Sequence, residues 1–231
     1  MFSSSFAYQS LALPLGVLTL LLLAKLTRLE GRAFDLTLAA SLLVLFAVIT
    51  THHVTALMLL AFLALWVVVS LFVRKGDEDT QEDHTKEKLV AGSSLAIGFT
   101  FLTLWITFVA VSTSAYLSQP LLTAFQDVLK FIWRDGDAPA FRSSSPLHEL
   151  VISGVTVLLF SCASLYGLSV AFRKWRNNVL VVTLALGSLS YFVSIALRFS
   201  GQGAELSGRL WSFVFVALAF TVALGFAWLR R

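Results

Sequence analysis

Residues 34–73 read FDLTLAASLLVLFAVITTHHVTALMLLAFLALWVVVSLFV, and after Asp35 this stretch holds no Asp, Glu, Lys or Arg. Crossing the hydrocarbon core of a bilayer takes about 20 residues of α-helix. The 40 residues of the stretch therefore suffice for two crossings and almost nothing more. We predict a tight helical hairpin, with His52 and His53 at its tip, at or just inside one membrane interface.

The composition excludes a soluble protein. Of 231 residues, 58% are hydrophobic and 13% are charged, whereas globular chains carry about a quarter charged residues. Lipid requires every backbone polar group to find its partner within its own segment, which favours helices. The +4 formal charge lies in short clusters, a pattern that predicts no nucleic-acid partner. We predict an all-α polytopic bundle of about seven transmembrane helices: 6–24, 34–51, 53–73, 89–111, 150–172, 179–197 and 210–229.

The distribution of Lys and Arg among the loops predicts the orientation. One side of the membrane would hold 12 of the 17 cations, and the other would hold Lys130, Arg134, Arg142, Arg198 and Arg209. Because cytoplasmic loops carry the excess of positive charge, the first side is predicted to be cytoplasmic. The N-terminus is then outside, the C-terminus is cytoplasmic, and the histidine tip faces the outside of a plasma membrane.

We predict a single membrane domain over residues 1–231, with two notable extramembrane segments. Residues 74–88 are hydrophilic and mixed in charge, which predicts a solvated cytoplasmic linker. Residues 112–149 are the longest predicted extracytoplasmic loop. Within this loop, apolar residues recur at helical spacing over 120–133, which is typical of an amphipathic helix lying on the outer leaflet.

His52 and His53 are the first candidate binding residues. A histidine within a membrane segment usually lines a cavity, pairs or binds a ligand. The pair could hydrogen-bond an anionic lipid headgroup, act as a general base or bind a metal; alternatively, it simply caps the hairpin tip with the neighbouring threonines. Adjacent histidines point to different sides of a helix and no close third ligand is visible, so we predict no metal site and no cofactor.

Glu205 and Arg209 form the second candidate. They are four residues apart in GQGAELSGRLW (201–211), at the outer start of the last predicted helix, and so share a helical face. They could form a helix-end ion pair, or Arg209 could bind a phosphate through its planar fork while Glu205 orients it. Gln9, at the outer end of the first predicted helix, is a further candidate.

Several signals are absent from the sequence. It has no phosphate-binding loop, no dinucleotide glycine fingerprint and no nucleophile elbow. No charged residue lies in the middle of a predicted span, which argues against ion-coupled transport. Ten small residues within the predicted spans are most simply explained by close helix packing: Gly92, Ser93, Ser94, Gly98, Gly154, Ser161, Ser164, Gly167, Gly187 and Ser188.

Three stretches carry a resemblance to a known group. They are FAYQSLALPLGVLTLLLL (6–23), TTHHVTALMLLAFLALW (50–66) and GAELSGRLWSFVFVALAF (203–220). They resemble the C-terminal half of bacterial multi-pass membrane proteins of the glycosyltransferase-C-like, cell-surface polysaccharide type. The resemblance implies that a polyprenyl-phosphate-linked sugar is handled at the outer face, with His52, His53, Glu205 and Arg209 at the recurring polar positions.

The chain departs from that group in one respect. Such enzymes typically carry an acidic catalytic residue in an outer loop of an N-terminal half, and the chain reads as a truncated or split member without that half. We therefore expect either a glycosyltransferase or part of one that acts with a partner membrane subunit, and we assign no catalytic residue. The alternative is a non-enzymatic membrane component, such as a transporter subunit, a scaffold or a degenerate fragment.

Overall fold

The structure, a computed structural model, describes residues 3–73, 79–111, 122, 126, 146–197 and 201–230; the side chains of 3–10, 79–84, 201–206 and 209 fall outside this description. The described residues contain no strand and confirm the predicted all-α class. Their helices are α1 (Ser3–Leu26), α2 (Gly31–Thr51), α3 (His53–Phe72), α4 (Asp79–Phe108), α5 (Leu147–Lys174), α6 (Val179–Gly187), α7 (Ser190–Leu197) and α8 (Gly201–Leu229).

The described helices are long and apolar enough to cross a bilayer six times. In addition, α1 contributes a shorter apolar stretch, Leu11–Leu26. Helices of this length and composition satisfy their backbone groups internally, as lipid requires, and the chain is a multi-pass membrane protein. The six segments are Gly31–Thr51, His53–Phe72, Thr85–Phe108, Leu147–Lys174, Val179–Leu197 and Leu210–Leu229.

The chain divides into two compact units. Unit 1 comprises Met1–Thr113 with Asn177–Thr183, and unit 2 comprises Ser114–Arg176 with Leu184–Arg231. In unit 1, α1 packs along α2, and α3 packs along α4. The core of this unit lies on α3. Half of the most apolar 18-residue segment of α3 is buried, whereas only 22% of the corresponding segment of α2 is buried. Trp66 is its largest fully buried side chain.

Lys86 joins α4 to the turn between α1 and α2. Its Nζ donates a 2.6 Å hydrogen bond to the backbone carbonyl of Leu29 and lies 4.0 Å from the Glu30 carboxylate. The same ammonium group lies 5.7 Å from the centroid of the Phe34 ring, within the range of a cation–π contact. These contacts hold the N-terminal part of α4 against the start of α2.

In unit 2, α5 packs along α8, and α7 also packs on α8. The two helices approach closely at Gly167, where an added Cβ would lie 2.8 Å from the backbone carbonyl carbon of Thr221. Only a residue without a side chain lets the two backbones come so near. Gly225 of α8 lies opposite, so the contact is made by glycine on both helices.

Buried hydroxyl groups connect the helices of unit 2. The Ser207 hydroxyl of α8 donates a 2.8 Å hydrogen bond to the Ser194 carbonyl of α7 and accepts a 3.0 Å bond from the Trp211 indole. The hydroxyls of Ser164 and Ser188 lie 3.3 Å apart. Lipid offers no partner to such groups, so these bonds favour the packed arrangement.

The prediction of a linker over residues 74–88 is wrong for residues 79–88. Residues 79–88 are the first turns of α4, which therefore begins at Asp79 rather than at residue 89. Between Gly76 and Gly92 the sequence has no Gly or Pro, and its Glu, Gln and Lys residues have high helix propensity. The hydrophilic composition of residues 79–88 is therefore that of a polar helical extension of the apolar segment, and not that of a linker.

The single helix predicted over 179–197 is divided into α6 and α7. Ser188 and Leu189 form the intervening turn, in which the N–H of Leu189 bonds to the carbonyl three residues back (3.0 Å). The Ser188 hydroxyl also bonds to the carbonyl of Ala185 (2.6 Å). A Gly–Ser pair, here beginning at Gly187, is a common cause of such an interruption.

The predicted extracytoplasmic loop over 112–149 lies largely outside the described residues. Of its predicted amphipathic helix, 120–133, only positions 122 and 126 are described. Both the loop and its interfacial helix therefore stay predictions.

Candidate functional site

His52 links α2 to α3 and caps both helices. Its backbone N–H donates to the carbonyl of Val48 (3.0 Å) as the C-cap of α2. As the N-cap of α3, its Nδ1 accepts from the N–H of Thr55 (3.2 Å) and lies 2.9 Å from the Thr55 hydroxyl. The ring nitrogen thus does what a hydroxyl or carboxylate oxygen usually does at this position. The predicted division into two helices at the histidine pair is confirmed, since α2 ends at Thr51 and α3 begins at His53.

The cap assigns the tautomer of the neutral His52 ring. The backbone N–H of Thr55 can only donate, so Nδ1 must accept, and the ring hydrogen lies on Nε2. In this state Nδ1 is occupied as an acceptor and Nε2 carries the hydrogen, so neither nitrogen can take up a proton while the cap is intact. A hydrogen bond to an anion is therefore compatible with the cap, and a general-base role for His52 is not.

His53 has different surroundings from its neighbour. It is the first residue of α3 and is half-buried, and its imidazole interacts with the backbone carbonyl of Ile49 in the last turn of α2. The hydroxyl of Thr50 donates within α2, to the carbonyls of Phe46 and Ala47 (both 3.1 Å). The two rings at the tip therefore serve different backbone segments, as expected for adjacent residues.

The remaining predicted binding residues are positioned by backbone alone. Gln9 lies in α1 of unit 1, whereas Glu205 and Arg209 lie in α8 of unit 2, and their side chains lie outside the described residues. Because α8 begins at Gly201 rather than at residue 210, Glu205 and Arg209 lie one turn apart within a helix. Their meeting with the histidine tip stays a prediction, since the two sets belong to different units.

Unit 1 contains a cavity of about 580 Å³ that lies away from the histidine tip, toward the other end of α3. Trp66 and Glu87 form part of its wall, where the indole Nε1 of Trp66 donates a 3.2 Å hydrogen bond to the Glu87 carboxylate. Lys25, Arg28 and Asn178 also line it. We call this space, whose polar wall these five residues form, the basic cavity.

The basic cavity has two cations and a helix start in its wall. Lys25, in the last turn of α1, and Arg28, just after that helix, are both exposed. Within the part of the chain that the structure describes, neither forms an ion pair. Asn178 is the N-cap of α6, where its Oδ1 accepts from the N–H of Val181 (3.1 Å), and the first turn of α6, residues 179–181, completes the wall.

No pattern in the sequence predicts the basic cavity. Lys25 and Arg28 contribute only to the predicted orientation, although Asn178 before an apolar run is a recognisable helix-start signal. The residues of the cavity are far apart in the sequence, and no pattern within one segment indicates which helix ends meet. Only the packing of α1, α3, α4 and the start of α6 brings them together.

The comparisons with known proteins add no relative. No family model, no curated protein and no solved structure matches this chain. Across the described residues, no group of three or more His, Cys, Asp or Glu side chains is placed to hold a metal ion.

Proposed function

We propose that this chain is a plasma-membrane protein of cell-surface polysaccharide or glycolipid assembly, which engages a polyprenyl-phosphate-linked sugar at its extracytoplasmic face. It acts as a glycosyltransferase or as a subunit of one, together with a partner membrane protein. In this proposal His52 and His53 contact the phosphate or the sugar, Arg209 binds the phosphate, and Glu205 and Gln9 contribute polar contacts.

The orientation of His52 is the observation that carries the proposal. Its Nδ1 is held by the N–H of Thr55, so the ring has a fixed direction and its hydrogen lies on Nε2. A donor that is already held in place loses little conformational entropy when a ligand binds. At a membrane interface, an N–H donor of this kind suits a phosphate oxygen, which only accepts hydrogen bonds at neutral pH.

Two further arguments support a phosphate-bearing ligand. Arg209 has the planar, multi-donor group that binds phosphate most specifically, and Glu205 lies one helical turn before it. The three stretches that resemble glycosyltransferase-C-like proteins include the histidine tip and this part of α8.

The second candidate is a non-enzymatic membrane component, such as a transporter subunit or a scaffold. The cap at His52 favours it, because ending one helix and starting the next is a sufficient structural role for that residue without any ligand. The neighbouring reading frame in the genome separates the candidates. Several further helices with an acidic residue in an outer loop would favour the enzyme, and their absence would favour the structural component.

Native mass spectrometry of the purified chain in a mild detergent, with added polyprenyl phosphate, tests lipid binding directly. We expect the wild type to retain the lipid and the triple variant His52→Ala/His53→Ala/Arg209→Ala to lose it. Lack of retention by the wild type, or equal retention by both proteins, would overturn the proposal.

A single variant separates the two roles of His52. In His52→Ser the hydroxyl can still cap α3, because Ser is among the best N-cap residues, but the Nε2 donor is gone. We expect His52→Ser to keep the stability of the wild type and to retain less polyprenyl phosphate. If only His52→Ala, which also removes the cap, lowers retention, His52 is a helix cap and not a ligand residue.

A further inference from the structure

We propose that the basic cavity of unit 1 binds the phosphate group of an anionic membrane lipid. The cavity lies toward the end of α3 away from His52, and the proposal does not depend on the function proposed for the tip. In the predicted orientation this end faces the cytoplasm, where anionic lipids concentrate and where basic pockets between transmembrane helices bind their headgroups.

The charges of the wall favour an anion. Lys25 and Arg28 are cations without an ion-pair partner in the described chain, and Glu87 is the carboxylate of the wall. The Glu87 carboxylate accepts the indole hydrogen of Trp66, which stabilises its charge from the buried side. The wall therefore has a net positive charge, and its two cations can both turn toward a ligand.

The start of α6 adds backbone donors to these cations. The first N–H groups of a helix have no acceptor within the helix, and the helix dipole makes this end positive. Asn178 satisfies one of these groups, the N–H of Val181, while residues 179–181 all line the cavity. Side-chain cations together with a helix start are the combination that binds phosphate in many proteins.

The exposed face of α1 indicates a lipid as the source of the phosphate. Leu11, Leu18 and Leu21 are 56%, 41% and 62% exposed, and they follow each other at the spacing of one helical face. At the same spacing the stripe reaches Lys25 in the last turn of α1, and Arg28 follows in the turn after the helix, where both residues line the cavity. Acyl chains lying along the leucines would therefore bring their phosphate group to the two cations.

The size of the basic cavity agrees with this ligand. Small-molecule sites typically enclose about 300–1,000 Å³, and the cavity measures about 580 Å³. This volume exceeds that of a phosphate group and leaves room for a glycerol or a second polar group.

Native mass spectrometry of the full chain in a mild detergent, titrated with phosphatidylglycerol or with phosphatidylcholine, tests the proposal. The first lipid is anionic and the second is zwitterionic with similar acyl chains. We expect one tightly bound phosphatidylglycerol, and we expect Lys25→Gln/Arg28→Gln to weaken its binding on the order of 100-fold, because two charge-assisted hydrogen bonds are lost. Equal retention of the two lipids by the wild type would overturn the proposal.

The matched control removes two cations elsewhere. Arg173→Gln/Lys174→Gln changes the last turn of α5 in unit 2 and lowers the net charge by the same amount. We expect it to weaken phosphatidylglycerol binding less than about fivefold, since exposed charges outside a site contribute little. If both double variants weakened phosphatidylglycerol binding equally, the lipid would be held by nonspecific attraction to the positive charge of the protein, and the proposed site would be refuted.

Two further arms complete the test. The charge-preserving variant Lys25→Arg/Arg28→Lys should keep most of the binding; loss of binding in this variant would contradict a site that reads charge at these positions. Soluble glycerol 3-phosphate distinguishes the source of the phosphate. We expect it to bind far more weakly than the lipid, and equal affinity would overturn the assignment to a lipid.

Discussion

Gly167→Ala should destabilise unit 2 strongly for so small a change, because it adds one methyl group where two helix backbones touch. The new Cβ would lie 2.8 Å from the carbonyl carbon of Thr221, nearer still to the carbonyl oxygen and 3.0 Å from the Thr221 methyl group. Ordinary contacts of a Cβ begin at 3.4 Å. The carbonyl group belongs to the backbone of α8 and cannot rotate away, so α5 and α8 must separate locally.

The magnitude follows from two opposing terms. Overpacking of a tight contact costs about 1–3 kcal/mol, and a clash with backbone belongs at the upper end of that range. Replacing Gly by Ala within a helix returns about 1 kcal/mol through helix propensity. The net loss is about 2 kcal/mol, and for a chain of this size it lowers the unfolding temperature by roughly 4–8 °C.

Two variants of the same chemistry provide controls. Gly154 lies on the same helix, and an added Cβ there would meet no atom within 4 Å, so Gly154→Ala should be neutral or slightly stabilising. At Gly225 the Cβ would lie 3.1 Å from Cδ1 of Tyr166 and 3.2 Å from Cα of Gly167, which predicts an intermediate loss. Thermal unfolding in detergent, followed by the fluorescence of the six tryptophans, measures all three. A Gly167→Ala protein as stable as Gly154→Ala would refute the packing described for α5 and α8.

Three further predictions use the same preparations. His52→Ala should lower the stability by about 1 kcal/mol through loss of the α3 N-cap, measured by thermal unfolding, and equal stability would show that the cap contributes nothing. Trp66→Phe should cost about 1–3 kcal/mol, because the Glu87 carboxylate loses its buried donor; a double-mutant cycle with Glu87→Gln should show coupling, and additive effects would contradict the hydrogen bond. Arg209→Ala should weaken polyprenyl-phosphate binding far more than Arg142→Ala in native mass spectrometry, and equal effects would remove the case for a specific phosphate site.

The hairpin was predictable because the length of the apolar stretch determines it. The 38 residues 36–73 hold no Asp, Glu, Lys or Arg, and they can cross a bilayer twice only if the turn between the crossings is very short. The pair His52–His53 lies at the middle of that length, so its place at the tip followed directly. The role of the His52 ring as the cap of α3 depends on its torsion angles, which the sequence does not give.

Two helix boundaries, the start of α4 and the break at Ser188, were predicted wrongly. Amino-acid composition indicates whether a segment is solvated, but it does not indicate whether the segment is helical. Residues 79–88 are polar, and a polar helix that leaves the membrane has the same composition as a linker. The break at Ser188 lies in a continuous apolar run, and hydropathy does not register a turn that is stabilised by a serine hydroxyl. The basic cavity was missed for a third reason, because its wall is made by helix ends from distant parts of the chain.

Apolar character also does not indicate which face of a membrane helix is buried. The helices α3 and α5 show this. α3 is the more apolar of the two, yet half of its most apolar 18-residue segment is buried, whereas only 22% of the corresponding segment of α5 is buried. Lipid tails and neighbouring helices are equally apolar, so burial against either gives the same hydrophobic gain. Two kinds of residue do distinguish a neighbouring helix from lipid. Polar side chains need a hydrogen-bond partner that lipid lacks, and small residues allow two helices to approach closely. On α5 these are Ser164 and Gly167, and both are buried on a helix that is otherwise largely exposed. On α3 they include the indole of Trp66 and the hydroxyl of Ser70, which are buried as well. For a bundle of this kind, the positions of small and polar residues are therefore the better guide to packing, and the apolar residues indicate only that the segment spans the membrane.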